Sequence, residues 1–220
     1  MPTPKRTSSP NCAAHCPCSN DSHDCRLIAV TGGPGAGKTA VLELARKSLC
    51  SHVLVLPEAA SIVFGGGFLR FADDVAVKAA QRAIFHVQRE HERLAQGEQR
   101  YSAVLCDRGT VDGEAYWPAS AQSYYAEVGT SHAAEIARYA LVVHLKTPTL
   151  ALGYNHDNPL RIEDAATALL MDERILAAWQ DHPNRIIIES EGTFMEKAHK
   201  AIGAIFAALP ACCRKDSSSG

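Results

Sequence analysis

The chain has 220 residues, 46% of them hydrophobic and 21% charged, an ordinary globular composition for one domain with tails. Basic residues number 22 and acidic ones 24, and a net charge of −2 excludes a polybasic protein that coats nucleic acid. No apolar run approaches the roughly 18 residues that span a bilayer, and Met1-Pro-Thr-Pro-Lys-Arg lacks the apolar stretch of a secretory signal. The default compartment is the cytoplasm, with neither a membrane nor a nucleic-acid partner.

In chain order, residues 1–24 are rich in Pro, Ser, Asn and Cys, have no apolar period and read as a flexible tail. Cys12, Cys16, Cys18 and Cys25, interleaved with His15 and His23, form a candidate zinc group, but their spacing matches no paired C-x-x-C unit, and the alternative is a flexible tail that happens to hold Cys. Residues 25–210 form the domain, and 211–220 read as a polar tail. Within the domain, Leu27–Thr31, Val53–Leu56, Ala103–Cys106, Ala140–Leu145 and Arg185–Glu189 are short, continuous apolar strands. Helical patterns fill 38–50, 74–96, 161–180 and 193–208, while Pro118 and Gly129 break 113–138 into short helical pieces. Continuous strands alternating with helices predict an α/β fold with a parallel sheet covered on both faces. In the 74–96 helix, Ala80, Ile84, Val87, His91 and Leu94 share the face expected to pack on the sheet. Lys78, Arg82, His86, Arg89 and Arg93 form the opposite, basic stripe: a solvated face, or a positive wall beside bound phosphates.

Gly32-Gly33-Pro34-Gly35-Ala36-Gly37-Lys38-Thr39 matches G-x-x-x-x-G-K-S/T at every fixed position, follows a predicted strand and opens a predicted helix. Glycines let successive N–H groups turn inward on phosphate oxygens, and the helix N-terminus adds partial positive charge. Lys38 is placed to reach the β- and γ-phosphates of ATP, or GTP, and Thr39 to hold Mg²⁺. Two further strands end in acids. Asp107, at the end of the third, is a candidate Mg²⁺ ligand, with a turn residue as the alternative. Glu58, after the second, is a candidate general base or ligand of a metal-bound water, or simply a helix-start charge, and Arg108 is a candidate brace for a carboxylate or a phosphate, with a surface ion pair as the alternative.

The run from the phosphate loop through Pro57-Glu58 to Asp107-Arg-Gly-Thr-Val-Asp-Gly113 resembles the P-loop ATPase/kinase-like group often filed as AAA-like domains. That group includes the ribosylnicotinamide kinase domain of the NAD regulator. The resemblance covers about 25–210 and implies a three-layer nucleotide-kinase-like fold with strand order 2-3-1-4-5. It also implies a base at Glu58, an acid–Arg pair at Asp107-Arg108, and a lid arginine at Arg161 or Arg174. The third strand departs from the Glu-Arg-Ser of deoxynucleoside kinases, so their acceptor pocket does not transfer. The expectation is Mg²⁺-dependent phosphoryl transfer from ATP to a small, nucleoside-like acceptor. The alternative is a nucleotide-gated switch with slow hydrolysis.

Overall fold

The computed structural model describes residues 23–148 and 165–214. The Cys/His group at 12–18, the 149–164 segment with Arg161, and 215–220 lie outside the described residues. The elements run β1 Arg26–Thr31, α1 Lys38–Ser48, β2 Val53–Leu56, α2 Ala59–Gly65, α3 Asp74–Gly97 and β3 Ala103–Asp107. They continue through α4 Asp112–Tyr116, α5 Ala121–Glu127, α6 His132–Ile136, β4 Tyr139–Leu145, α7 Ala165–Ala178, β5 Arg185–Ile188 and α8 Phe194–Ala208. All strand pairs are parallel, in the order β2-β3-β1-β4-β5.

The apolar runs are continuous because alternate residues serve two cores. Ile28, Val30, Leu105 and Val143 face α1 and α8, packing with Val41, Ala45, Ala201 and Ile205. Leu27, Ala29, Val104 and Val142 face the other layer, with Ala95 of α3, Ile136 of α6 and Ile175 of α7. At the sheet's edge, Ile186 and Ile187 of β5 are covered less than the central strands. A capping box at Thr193 and Glu196 starts α8. The stretch 59–73, which the Gly65-Gly66-Gly67 run makes read as a loop, instead begins with α2, and 112–136 holds three short helices, each ended within two turns. Residues 211–213, assigned above to a polar tail, form a 3-10 turn, because Cys213 is buried in the α1/α8 core.

Helix α3 corrects one expectation. Its buried residues are Ala80, Gln81, Phe85, Gln88, Glu92 and Ala95, a face turned one residue from the expected one, while Leu94 is 60% exposed. His91 is only half-buried, and its Nδ1 has no hydrogen-bond partner among the described residues. The cause is a polar network that burial-by-hydrophobicity overlooks. Glu92 accepts from Gln88 Nε2 at 2.8 Å and from the Tyr139 hydroxyl at 2.7 Å, and it pairs with Arg138. Nor is the basic stripe a phosphate wall: Arg82 pairs with Glu127 at 3.0 Å and Arg89 with Glu135 at 3.1 Å.

This face makes a sharp stability test. Glu92→Ala leaves a half-buried Arg138 and a buried Tyr139 hydroxyl short of a partner, and should cost about 3 kcal/mol in urea unfolding. Leu94→Ala should change stability by less than about 0.5 kcal/mol. The reverse ranking would restore the face read from hydrophobicity.

Candidate functional site

The site forms where the strand order reverses, at the carboxyl ends of β1, β3 and β2. Register sets its members. Val30 of β1 pairs with Asp107 of β3, so Asp107 stands beside the loop that leaves β1. Leu56 of β2 pairs with Cys106, which brings the residues just beyond, Glu58 and Arg108, into contact.

The loop 32–37 has few side chains with which to pack, so its backbone is bonded instead. Gly32 has φ of +136°, and a Cβ there would lie 2.1 Å from the Leu145 carbonyl oxygen. A Cβ on Gly33 would lie 2.4 Å from Thr147 Oγ1 and 2.7 Å from Asp172 Cβ. The Gly33 amide donates to Asp172 Oδ1 at 2.7 Å. The same carboxylate pairs with His144 Nε2 at 3.0 Å and Lys146 Nζ at 2.9 Å. Burial opposes its ionisation, but His144, Lys146 and the Gly33 amide hold the carboxyl well below the usual range. From the other side, the buried Lys197 ammonium donates to the Ala36 carbonyl at 2.9 Å, to the Lys146 carbonyl and to Ser190 Oγ. Burial pushes that amine down to about 8.

Lys38 turns back into the loop and donates to the carbonyls of Gly32 at 3.0 Å and Gly33 at 2.9 Å. Burial, aided by Arg108, lowers its pKa to about 8 against the pull of nearby acids, so it stays mostly protonated at neutral pH. Thr39 is exposed in the first turn of α1, where the leading amides have no intrahelical acceptor.

Arg108 adopts a left-handed φ of +71°, a conformation that persists in a non-glycine residue only where surroundings fix it. Here its amide donates to the Val30 carbonyl at 3.1 Å. Its Nε donates to Glu58 Oε1 at 3.0 Å, and its guanidinium also reaches the Gly32 carbonyl at 3.1 Å and Asp112 Oδ1 at 3.3 Å. Glu58 caps the start of α2 and accepts from Ser61 Oγ at 2.6 Å. Burial raises its pKa, but Arg108, Ser61 and Lys38 outweigh this and keep the carboxyl below its ordinary value, and so ionised. Asp112 ties the loops together: it accepts from Thr31 Oγ1, from the Gly109 amide at 2.9 Å and from Trp179 Nε1 at 3.1 Å.

Asp107 differs from these acids. Its Oδ1 is buried with no hydrogen-bond partner among the described residues, and burial raises its pKa from 3.8 to about 6. Asp107, Glu58 and Arg108 line one cleft of about 750 Å³, which runs from Pro34 of the loop to Gln81, Phe85 and Tyr124. Arg174 of α7 also lines the cleft and is exposed, with no ion-pair partner among the described residues. Arg161 lies outside the described residues.

Against known proteins, a family described as an AAA domain matches residues 27–197. The chain belongs to that family. Among solved structures it is similar to deoxyadenosine kinase from M. mycoides with bound dATP, at 10% identity and TM-score 0.58, covering 82% of this chain and 98% of that one. It is also similar to NadR protein in complex with NR, at 18% identity and TM-score 0.60, covering 85% of this chain. It spans only 52% of that protein's chain. No curated protein matches the sequence. The fold is thus a P-loop kinase-like one, as the resemblance implied.

The structure brings Lys38, Glu58, Asp107 and Arg108 together. Sequence reasoning missed Asp172, Lys197 and Asp112 as anchors. Asp112 alone had a signal, its place three residues past Gly109.

A buried carboxyl with a raised pKa strains the fold when it ionises. Between its unfolded value of 3.8 and about 6, rising pH removes stability, and the whole penalty is present above pH 6. In metal-free buffer, Asp107→Asn should therefore stabilise the protein at pH 8, by on the order of 2–3 kcal/mol. The gain should shrink as pH falls from 6 to 4. A variant destabilised equally at every pH would show that the carboxylate is held by bonds of its own.

Proposed function

We propose that the protein transfers the terminal phosphoryl group of ATP to the hydroxyl of a small, nucleoside-like acceptor. The observation that carries this reading is the cleft, which joins the phosphate loop to Glu58, Asp107 and Arg108 and continues into an aromatic chamber. A volume of about 750 Å³ suits a small-molecule ligand. A nucleotide switch needs no such chamber.

The residues fit a nucleotide and a divalent cation. The Lys38 ammonium rests on two loop carbonyls that an anion can replace, and Asp107 Oδ1 is buried without a hydrogen bond among the described residues. Mg²⁺, when bound, supplies charge neutralisation on the β- and γ-phosphates, and Thr39 and Asp107 are the residues that would hold it. The amides of Gly35, Gly37 and Lys38 with the Lys38 side chain bind and orient the phosphates. Glu58, kept ionised by Arg108, takes the proton of the acceptor hydroxyl as its oxygen bonds to the γ-phosphorus. The bond to the bridging oxygen breaks and ADP leaves. Arg174 at the cleft rim, and Arg161 in the expected lid, add positive charge as the phosphoryl group moves. Gln81 presents to the chamber an amide with no hydrogen bond among the described residues, suited to a polar heterocycle lying in the cleft. GTP is the alternative donor.

A screen of nucleosides and ribosylnicotinamide with Mg·ATP, read by phosphorus NMR, should reveal an acceptor that gains a phosphate. With it, Glu58→Gln should lower kcat by about 100-fold or more and leave the KM for ATP within a few-fold. Lys38→Ala should weaken ATP binding itself. Hydrolysis that no acceptor stimulates, with Glu58→Gln unchanged, would replace the kinase reading with the switch.

A further inference from the structure

We propose that Cys50, His52 and Cys213 form a binding site for a thiophilic divalent cation of the zinc class. The site lies at the amino ends of the strands, opposite the phosphate loop. Cys50 and His52 directly precede β2, and Cys213 ends the 3-10 turn after α8. One ligand atom from each residue lies within 4.8 Å of the others. A tetrahedral zinc with Zn–S bonds of about 2.3 Å holds its sulfurs about 3.8 Å apart, so a shift of about 1 Å or less closes the shell.

The surroundings already fix these residues. The His52 carbonyl accepts from the Ser102 amide at 2.9 Å and from Ser102 Oγ at 3.3 Å. That hydroxyl lies 3.0 Å from Cys213 Sγ, and the Cys213 amide donates to the Pro210 carbonyl at 2.9 Å. One nitrogen of the imidazole is unused: His52 Nδ1 is buried without a hydrogen bond among the described residues. Nitrogens of that kind are rare in folded proteins and call for an explanation. His23, whose ring lies tilted against that of His52 at 4.8 Å between centroids, likewise has an Nε2 with no hydrogen bond among the described residues. The fourth position falls to water or to Cys212, whose Sγ is 3.8 Å from that of Cys213.

Two thiolates and an imidazole select zinc over magnesium or calcium, so this site does not compete for the cation proposed at Asp107. Binding displaces the two thiol protons to solvent. Its consequence is a staple joining the α1–β2 link to the C-terminal turn.

Cobalt(II) titration of the reduced full chain tests the site. One equivalent should bind with a thiolate-to-cobalt charge-transfer band. Cys12→Ser/Cys16→Ser/Cys18→Ser should keep the band, and Cys50→Ser/Cys213→Ser should lose it. His52→Ala, which spares both thiols, should weaken affinity at least tenfold, so the test survives poor folding of the double variant. With zinc at about 100 times its Kd, a strong chelator should lower Tm by about 5–10 °C. A band lost in the triple variant and kept in the double one would overturn the proposal. So would no cobalt uptake, or a Cys50–Cys213 disulfide in a protein that takes up no metal after reduction.

Discussion

A glycine-rich loop has almost no side chains with which to hold its own shape, and here three buried charges hold it by its backbone. Asp172 takes the Gly33 amide, Lys197 takes the Ala36 carbonyl, and Lys38 takes the carbonyls of Gly32 and Gly33. Each charge is itself compensated, Asp172 by His144 and Lys146 and Lys197 by carbonyl and hydroxyl oxygens. Removing one partner from such a set costs about 3–5 kcal/mol, since the rest remain buried and unpaired. The loop is therefore shaped before any ligand arrives, and only the Lys38 contacts need be exchanged on binding.

A second set of charges does the same for the β3–α4 turn. Glu135 accepts from Thr110 Oγ1 at 2.7 Å and pairs with Arg89 and Arg138, while Glu92 joins Arg138 and Tyr139. The Tyr139 hydroxyl in turn accepts from the Thr110 amide at 2.8 Å. Together with Asp112 these bonds pin both ends of Asp107–Asp112, which is what lets Arg108 sit at positive φ and Asp107 Oδ1 stay without a hydrogen bond among the described residues. Helices α3 and α6 thus act on the site through polar bonds as well as by covering the sheet.

The strands and the phosphate loop were legible because their signals are local: a continuous apolar run, then glycines at fixed spacing. Asp107 and Glu58 were legible because strand ends imply register, and parallel register brings strand ends together. The buried face of α3 was not, since Gln81, Gln88 and Glu92 count as surface residues until their partners on other elements are known. Asp172 and Lys197 look like solvated helix charges for the same reason, their partners lying 139 and 161 residues away. The C-terminal Cys pair read as tail because one buried sulfur leaves no periodicity. Arg161, read as a lid residue, lies outside the described residues, whereas Arg174 reaches the cleft rim from α7.

The central claim is that the loop is preshaped by Asp172 and Lys197, which hold its backbone independently of Lys38, the charge placed to meet the phosphates. Calorimetric titration of Mg·ATP into the wild type and into Asp172→Ala, at a temperature where both are folded, tests it most directly. The account predicts wild-type binding, and affinity at least tenfold weaker in Asp172→Ala, about 1.4 kcal/mol, as the cost of ordering a freed loop. Equal affinities in the two proteins would contradict it, as would a wild type that does not bind.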